Sequence, residues 1–163
     1  MNVEYIRALY DYNRWAHDRV WECALQLTNE QFTRNIGYSW GSVRNQFVHV
    51  MSVDARWFAR LKGDPIPDHL QDTDYPTHET VRAKWDEVAS YARSYLDVVT
   101  EDAISQNIVY NTRSGGPKSG FNWQILLHVV NHGTDHRAQI LAMLHQLGAP
   151  TIAQDLMFYF WEQ

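Results

Sequence analysis

Cysteine occurs once in the 163 residues, at Cys23, so no disulfide can close within the chain and nothing in its composition asks for an oxidising compartment. The cytoplasm is the expected location. No stretch approaches the roughly 20 apolar residues of a membrane-spanning helix. The segment Met1-Asn2-Val3-Glu4-Tyr5-Ile6-Arg7 also lacks the basic start and apolar run of an export signal. The 14 Lys and Arg are outnumbered by 19 acidic residues and nowhere clustered, which leaves no positive stripe for a phosphate backbone. Neither nucleic acid nor a membrane is an expected partner. Internal repeats and low-complexity tracts are missing too, and a chain of this length has room for one domain, expected over residues 1–163, with a substantial core. What the chain has in abundance is aromatic surface, seven Trp and nine Tyr, which must pack or line a pocket.

Apolar periodicity predicts an all-α protein of four helices. From Val3, the residues Ile6, Tyr10, Val20, Ala24 and Leu27 keep helical steps, with Asn13 and Ala16 filling the gap, which places a first helix over Asn2 to Leu27. Ser42 can cap a second helix carrying Val43, Phe47, Val50, Trp57 and Leu61, with Gly63 and Pro65 as its stop and a linker to Pro76. Thr77 can cap a third, with an unbroken stripe of Val81, Trp85, Val88, Ala92, Tyr95 and Val99. Phe121, Asn122 and Leu126 read as staple, cap and contact of a fourth helix that ends at Gly148 and Pro150. Between the last two, Asn107 to Tyr110 and Lys118 to Phe121 flank Ser114-Gly115-Gly116-Pro117, the signature of a small β-hairpin set as a cap on the bundle. The aromatic tail from Gln154 to Trp161 is expected to pack back on the domain or on a partner subunit.

Histidine carries the chemistry. His132 and His136 are four apart, so both imidazoles share one face of the fourth helix, and they fall on its inward stripe with Ile125, Val129, Met143 and Leu147. One interior histidine is ordinarily satisfied by a carbonyl and a water, but two inward histidines one turn apart are harder to satisfy that way. His49, inward-leaning in the second helix, adds a third nitrogen from another element, as metal sites in bundle cores need. Gly133 follows His132 where a zinc-protease helix needs Glu, and no Glu-x-x-His occurs for a di-iron site. The reading is a mononuclear site for one divalent transition metal held by His49, His132 and His136. Asn13, His17, His128 and Gln139 are candidates to steady those ligands or line the pocket. His69, His78 and His145 read as solvent or loop residues, and Asp54 and Asp135 point away from the metal direction.

The block Leu126-Leu127-His128-Val129-Val130-Asn131-His132-Gly133-Thr134-Asp135-His136-Arg137-Ala138-Gln139-Ile140, an upstream His49 and the Leu147-Gly148 stop resemble the DinB/YfiT-like family of metalloenzymes. So do Tyr12-Asn13-Arg14-Trp15-Ala16 near the start and Asp155-Leu156-Met157-Phe158-Tyr159 near the end. The resemblance covers nearly the whole chain. It implies a four-helix bundle capped by a β-hairpin, a homodimer, nickel or zinc on His49, His132 and His136, and no DNA chemistry despite the family's DNA-damage-inducible label. Asp135 stands where the family usually has an aromatic residue.

Three neutral imidazoles leave at least one coordination position open, as in catalytic sites. A soft thiolate can fill it, because coordination deprotonates a thiol, and relatives sharing the bundle and the triad include mycothiol-dependent maleylpyruvate isomerases and transferases using bacillithiol or glutathione. The expected activity is therefore metal-dependent S-transfer or isomerisation with a low-molecular-weight thiol as cosubstrate and a small-molecule substrate. One alternative is a hydrolase, in which a metal-bound water ionises near about pH 7 and His17 or His128 serves as base. Another is a non-catalytic module that binds metal or a small ligand.

Overall fold

The computed structural model describes residues 2–111 and 115–163. The four periodic stretches form its long helices, α1 (Val3–Ala24), α3 (Val43–Lys62), α4 (His78–Leu96) and α6 (Asn122–Gln146). Shorter pieces occupy the connections: α2 (Asn29–Thr33), α5 (Glu101–Ile104), α7 (Leu156–Trp161) and the strands β1 (Asn107–Asn111) and β2 (Pro117–Phe121). The protein is mostly helical, with one small antiparallel sheet.

Local chemistry sets the boundaries. Side-chain oxygens of Asn2, Ser42 and Thr77 accept the backbone N–H groups of Tyr5, Asn45 and Thr80, satisfying donors that a helix start leaves open. Gly63, at φ 74°, closes α3 in the left-handed conformation that a side chain disfavours. α1 stops at Ala24, short of Leu27, because Thr28 and Gln31 form a reciprocal capping box that starts α2; Leu27 is buried all the same. Asn122 does not cap α6. Phe121 holds that position, its N–H bonded to Gln124 Oε1, while Asn122 Nδ2 donates to the Ala103 carbonyl and ties the helix to α5. The linker after Gly63 carries a single 3-10 turn at Asp72–Asp74.

α3 packs against both α4 and α6, and α1 against α6. One buried cluster gathers Trp21, Phe32, Phe47, Met51, Trp85 and Met143, and a second gathers Ile6, Tyr10, Phe58, Tyr95, Leu126 and Val129. Each such side chain contributes about 1.5–3 kcal/mol through burial. Along their shared edge α1 and α4 are bridged by Arg14–Asp86, Arg82–Asp18 and Arg93–Asp11.

The hairpin pairs Asn107 with Phe121 and Tyr110 with Lys118; Ser114, expected in its turn, lies outside the described residues. Tyr110 meets Trp57 edge-on at 5.0 Å, and Trp57 in turn faces His128, so the sheet abuts the histidine end of α6. The tail does pack back: Tyr12 Oη donates to the Gln154 carbonyl, and Tyr159 packs against Tyr12 and Trp15. Its other face, with Met157, Phe160 and Trp161, remains exposed.

His78 is a correction. It is not a solvent residue: it opens α4 with its ring stacked on Phe32 at 3.9 Å and its Nε2 3.2 Å from the Ala24 carbonyl, which closes the α1–α2 corner. His69 and His145 are exposed, as expected. No helix among the described residues is long and apolar enough to cross a membrane.

Candidate metal centre

Because α3 lies against α6, His49 meets the two histidines one turn apart on the facing helix. Ligand nitrogens of His49, His132 and His136 all lie within 4.8 Å of one another. His49 Nε2 is 3.2 Å from His132 Nε2, and the ring centroids of His132 and His136 are 4.3 Å apart. Nitrogens bound at about 2.0–2.1 Å in a tetrahedral site stand about 3.3 Å from each other, so the donor set fits one divalent ion. His132 Nδ1 is buried with no hydrogen-bond partner among the described residues.

The tautomer of His136 follows from a chain of bonds that ends on a carboxylate. Asp135 Oδ2 can only accept, so Gln139 presents Nε2 to it at 3.2 Å and Oε1 toward Gln46. Gln46 Nε2 donates to that Oε1 at 2.9 Å, which turns Gln46 Oε1 toward His136 Nδ1 at 2.7 Å. His136 therefore carries its proton on Nδ1 and offers the Nε2 lone pair to the cluster, as a ligand histidine must. Ser39, at φ 49°, adds an Oγ–H donor to Gln139 Oε1.

The electrostatics favour uncharged imidazoles. Burial, reinforced by His136, His49 and His128, pushes His132 down to about 3. Burial also lowers His136, against a small opposing pull from Asp135. Protons are thus weak competitors for these nitrogens near neutrality.

The other sequence candidates separate spatially. His128 is exposed overall, with its ring 5.7 Å from that of His132, beside the cluster, and partial desolvation lowers its pKa. Gln139 reaches the cluster only through Gln46. Asn13 Oδ1 accepts from Arg137 Nη1 at the α1–α6 interface. His17, 2% exposed, stacks on Trp85 and meets Phe47 edge-on within the core. Asp54 and Asp135 are absent from the histidine group.

Two contributors escaped the sequence reading. Gln46 precedes His49 by three residues, hence on the same helix face, and that spacing was a usable signal; the structure buries the amide fully. Trp40, 45% exposed, stacks over His49 at 4.1 Å; it sits in a loop, where no periodicity points to it.

Comparison with known proteins agrees with this architecture. The chain is 26% identical over 158 residues to Protein DinB of Bacillus subtilis (strain 168), covering 94% of this chain and 92% of that one. It is 24% identical over 110 residues to Bacillus subtilis YkkA, covering 58% and 60% of the two chains. A conserved protein of Enterococcus faecalis shares the fold at TM-score 0.67 and 16% identity, over 86% of this chain and 95% of that structure. A DinB-like protein of Bacillus cereus ATCC 10987 does so at 0.60 and 15%, over 86% and 92%. The DinB family model matches residues 1–163, and the chain belongs to the DinB family.

Proposed function

We propose that this protein is a metal-dependent enzyme in which His49, His132 and His136 hold one divalent ion, nickel or zinc, and that it transfers or isomerises a small substrate with a low-molecular-weight thiol. The observation that carries this reading is the nitrogen-only cluster, fixed in the ligand tautomer by Gln46 and devoid of a carboxylate. In the same reading α1, α3, α4 and α6 make a hairpin-capped four-helix bundle, one domain over residues 1–163, acting as a cytoplasmic homodimer.

When bound, the ion supplies a Lewis acid that makes a thiol or a water acidic near neutral pH. The chain's own residues do the rest. Gln46 orients His136; Trp40 walls one side of His49. His128, adjacent to His132, is placed to take the proton released by the nucleophile. That placement also favours the second reading, a hydrolase in which His128 serves water instead of a thiol. A module that binds metal without turnover is the third.

The test begins with metal content by inductively coupled plasma mass spectrometry on untagged protein, wild type against His132→Ala. About one ion per chain in wild type and a large loss in the variant are expected. Negligible metal in both, persisting after incubation with zinc and nickel, would overturn the proposal. Loaded protein is then assayed with mycothiol, bacillithiol and glutathione against electrophiles, and with aryl esters. Thiol-dependent turnover supports the first reading, ester cleavage the second, and neither the third.

A further inference from the structure

α1, α3 and α4 enclose a second feature, unrelated to the histidines. A cavity of about 250 Å³ is lined by residues that include Tyr10, Asn13, Asp54, Phe58, Trp85 and Leu96, and none of His49, His132 or His136 reaches it. A cavity of about 150 Å³ already suffices for benzene.

Its wall holds an acid without a partner. Asp54 is 7% exposed, and its Oδ1 has no hydrogen-bond partner among the described residues. The cation that acts on it, Arg137, is engaged instead with Gln154, Asn13 and Thr134. Burial pushes the carboxyl up to about 8. The carboxyl therefore keeps its proton near neutrality, and its ionised form is costly unless a cation pairs with it, which a bound ammonium would do.

The remaining polar groups narrow what that partner is. Tyr10 Oη donates to the Leu126 carbonyl, so its oxygen faces further contacts as an acceptor, and Asn13 Oδ1 is occupied by Arg137. At the rim, Arg93 is paired with Asp11 and Asp97, and Arg14 with Asp18 and Asp86, so no cation is left over to anchor an anion. Unmet acceptors at Asp54 and Tyr10 beside the ring of Phe58 suit an N–H-bearing cation with a hydrocarbon body. Trp85, which also lines the cavity, has its Nε1–H buried with no hydrogen-bond partner among the described residues, a donor for an acceptor atom or water that enters with it.

We propose that this cavity is a small-molecule site, separate from the histidine cluster, for a compact organic ammonium whose N–H groups bond Asp54 and whose hydrocarbon part packs on Phe58, Trp85 and Leu96. The rim ion pairs are partly exposed and therefore weak, so they can part to admit it.

Benzylamine and its uncharged counterpart benzyl alcohol serve as probes, titrated by NMR and calorimetry into wild type, Asp54→Asn, Ala89→Phe and His132→Ala. Saturable benzylamine binding to wild type is expected, at least about tenfold weaker for benzyl alcohol and for Asp54→Asn. It is lost when Ala89, which also lines the cavity, is replaced by Phe to fill it, and unchanged in His132→Ala. The amine-against-alcohol comparison needs no variant, so it stands even if a substitution unfolds the chain. No saturation up to about 10 mM, the weak end for so small a ligand, would overturn the proposal. So would equal binding of amine and alcohol, undiminished binding to Asp54→Asn, or a cavity holding only ordered water in crystals grown with benzylamine.

Discussion

His136 Nδ1 donates to Gln46 Oε1 at 2.7 Å across the α3–α6 interface, and this contact selects the nitrogen that faces His49 and His132. Replacing Gln46 by Leu keeps the volume and removes the acceptor. Metal affinity should fall about 10–100-fold, the usual cost of losing the group behind a ligand histidine. The metal-free protein should lose about 1–3 kcal/mol from the unsatisfied Nδ1–H. Asp135→Asn should act more gently: an amide can present either end, so the bonds through Gln139 and Gln46 adopt both polarities. Competition against a chromophoric chelator measures the affinities, and long-range ¹⁵N NMR reports the His136 tautomer. Wild-type affinity and a single tautomer in both variants would show that these amides do not direct the site.

Most of this centre was legible in the sequence because helical spacing is a strong constraint. His132 and His136 could face only one way once Ile125, Val129 and Met143 defined the buried stripe, and His49 lay on the helix most able to meet them. Gln46 was legible in principle, by the same spacing. Trp40 was not, since a loop residue's direction depends on turns at Gly37 and Gly41 that no period records. For His17 the sequence carries less: an inward position on α1 says that a side chain is buried, not against which neighbour, and Trp85 and Phe47 are the rings it meets. The short helices α2, α5 and α7 were missed because four to six residues are too few to show a 3.6-residue period.

Acid should destabilise the metal-free protein. An unfolded histidine titrates near 6.5, whereas folded His132 resists protonation down to about 3. Between those values the unfolded chain binds more protons than the folded one, so stability falls as pH drops through that window. His17, lowered by burial and by nearby arginines, adds to the same slope. Urea unfolding of chelated protein from pH 7 to 4 should show the decline, and His132→Asn should make it shallower. An unchanged slope in that variant would mean that His132 is not held neutral by the fold.

Gly133 leaves no room for a side chain where α6 faces Asn13 of α1. A Cβ there would stand 2.7 Å from Asn13 Oδ1 and 2.9 Å from Arg137 Nη1, two buried groups bonded to each other. Helix propensity alone favours Gly133→Ala by about 1 kcal/mol, but displacing a packed pair costs about 1–3 kcal/mol. Net destabilisation is therefore expected, read as a lower urea midpoint with an unchanged m-value. A higher midpoint would show that Asn13 and Arg137 yield without cost.

Asp54 should make the protein less stable as pH rises. Its carboxyl holds a proton to about 8 when folded and only to about 3.9 when unfolded. From roughly pH 4 to 8 the folded state therefore binds the extra proton, and stability falls with rising pH across that window. Asp54→Asn removes the titration and keeps the shape, so the variant should match wild type near pH 4 and exceed it increasingly up to pH 9. The ceiling of the gain is on the order of 5 kcal/mol, and water entering the adjoining cavity will reduce it. Unfolding measured at pH 5 and pH 9 decides the matter: equal stability at both would mean that the carboxylate is already compensated in the folded protein, by solvent or by Arg137.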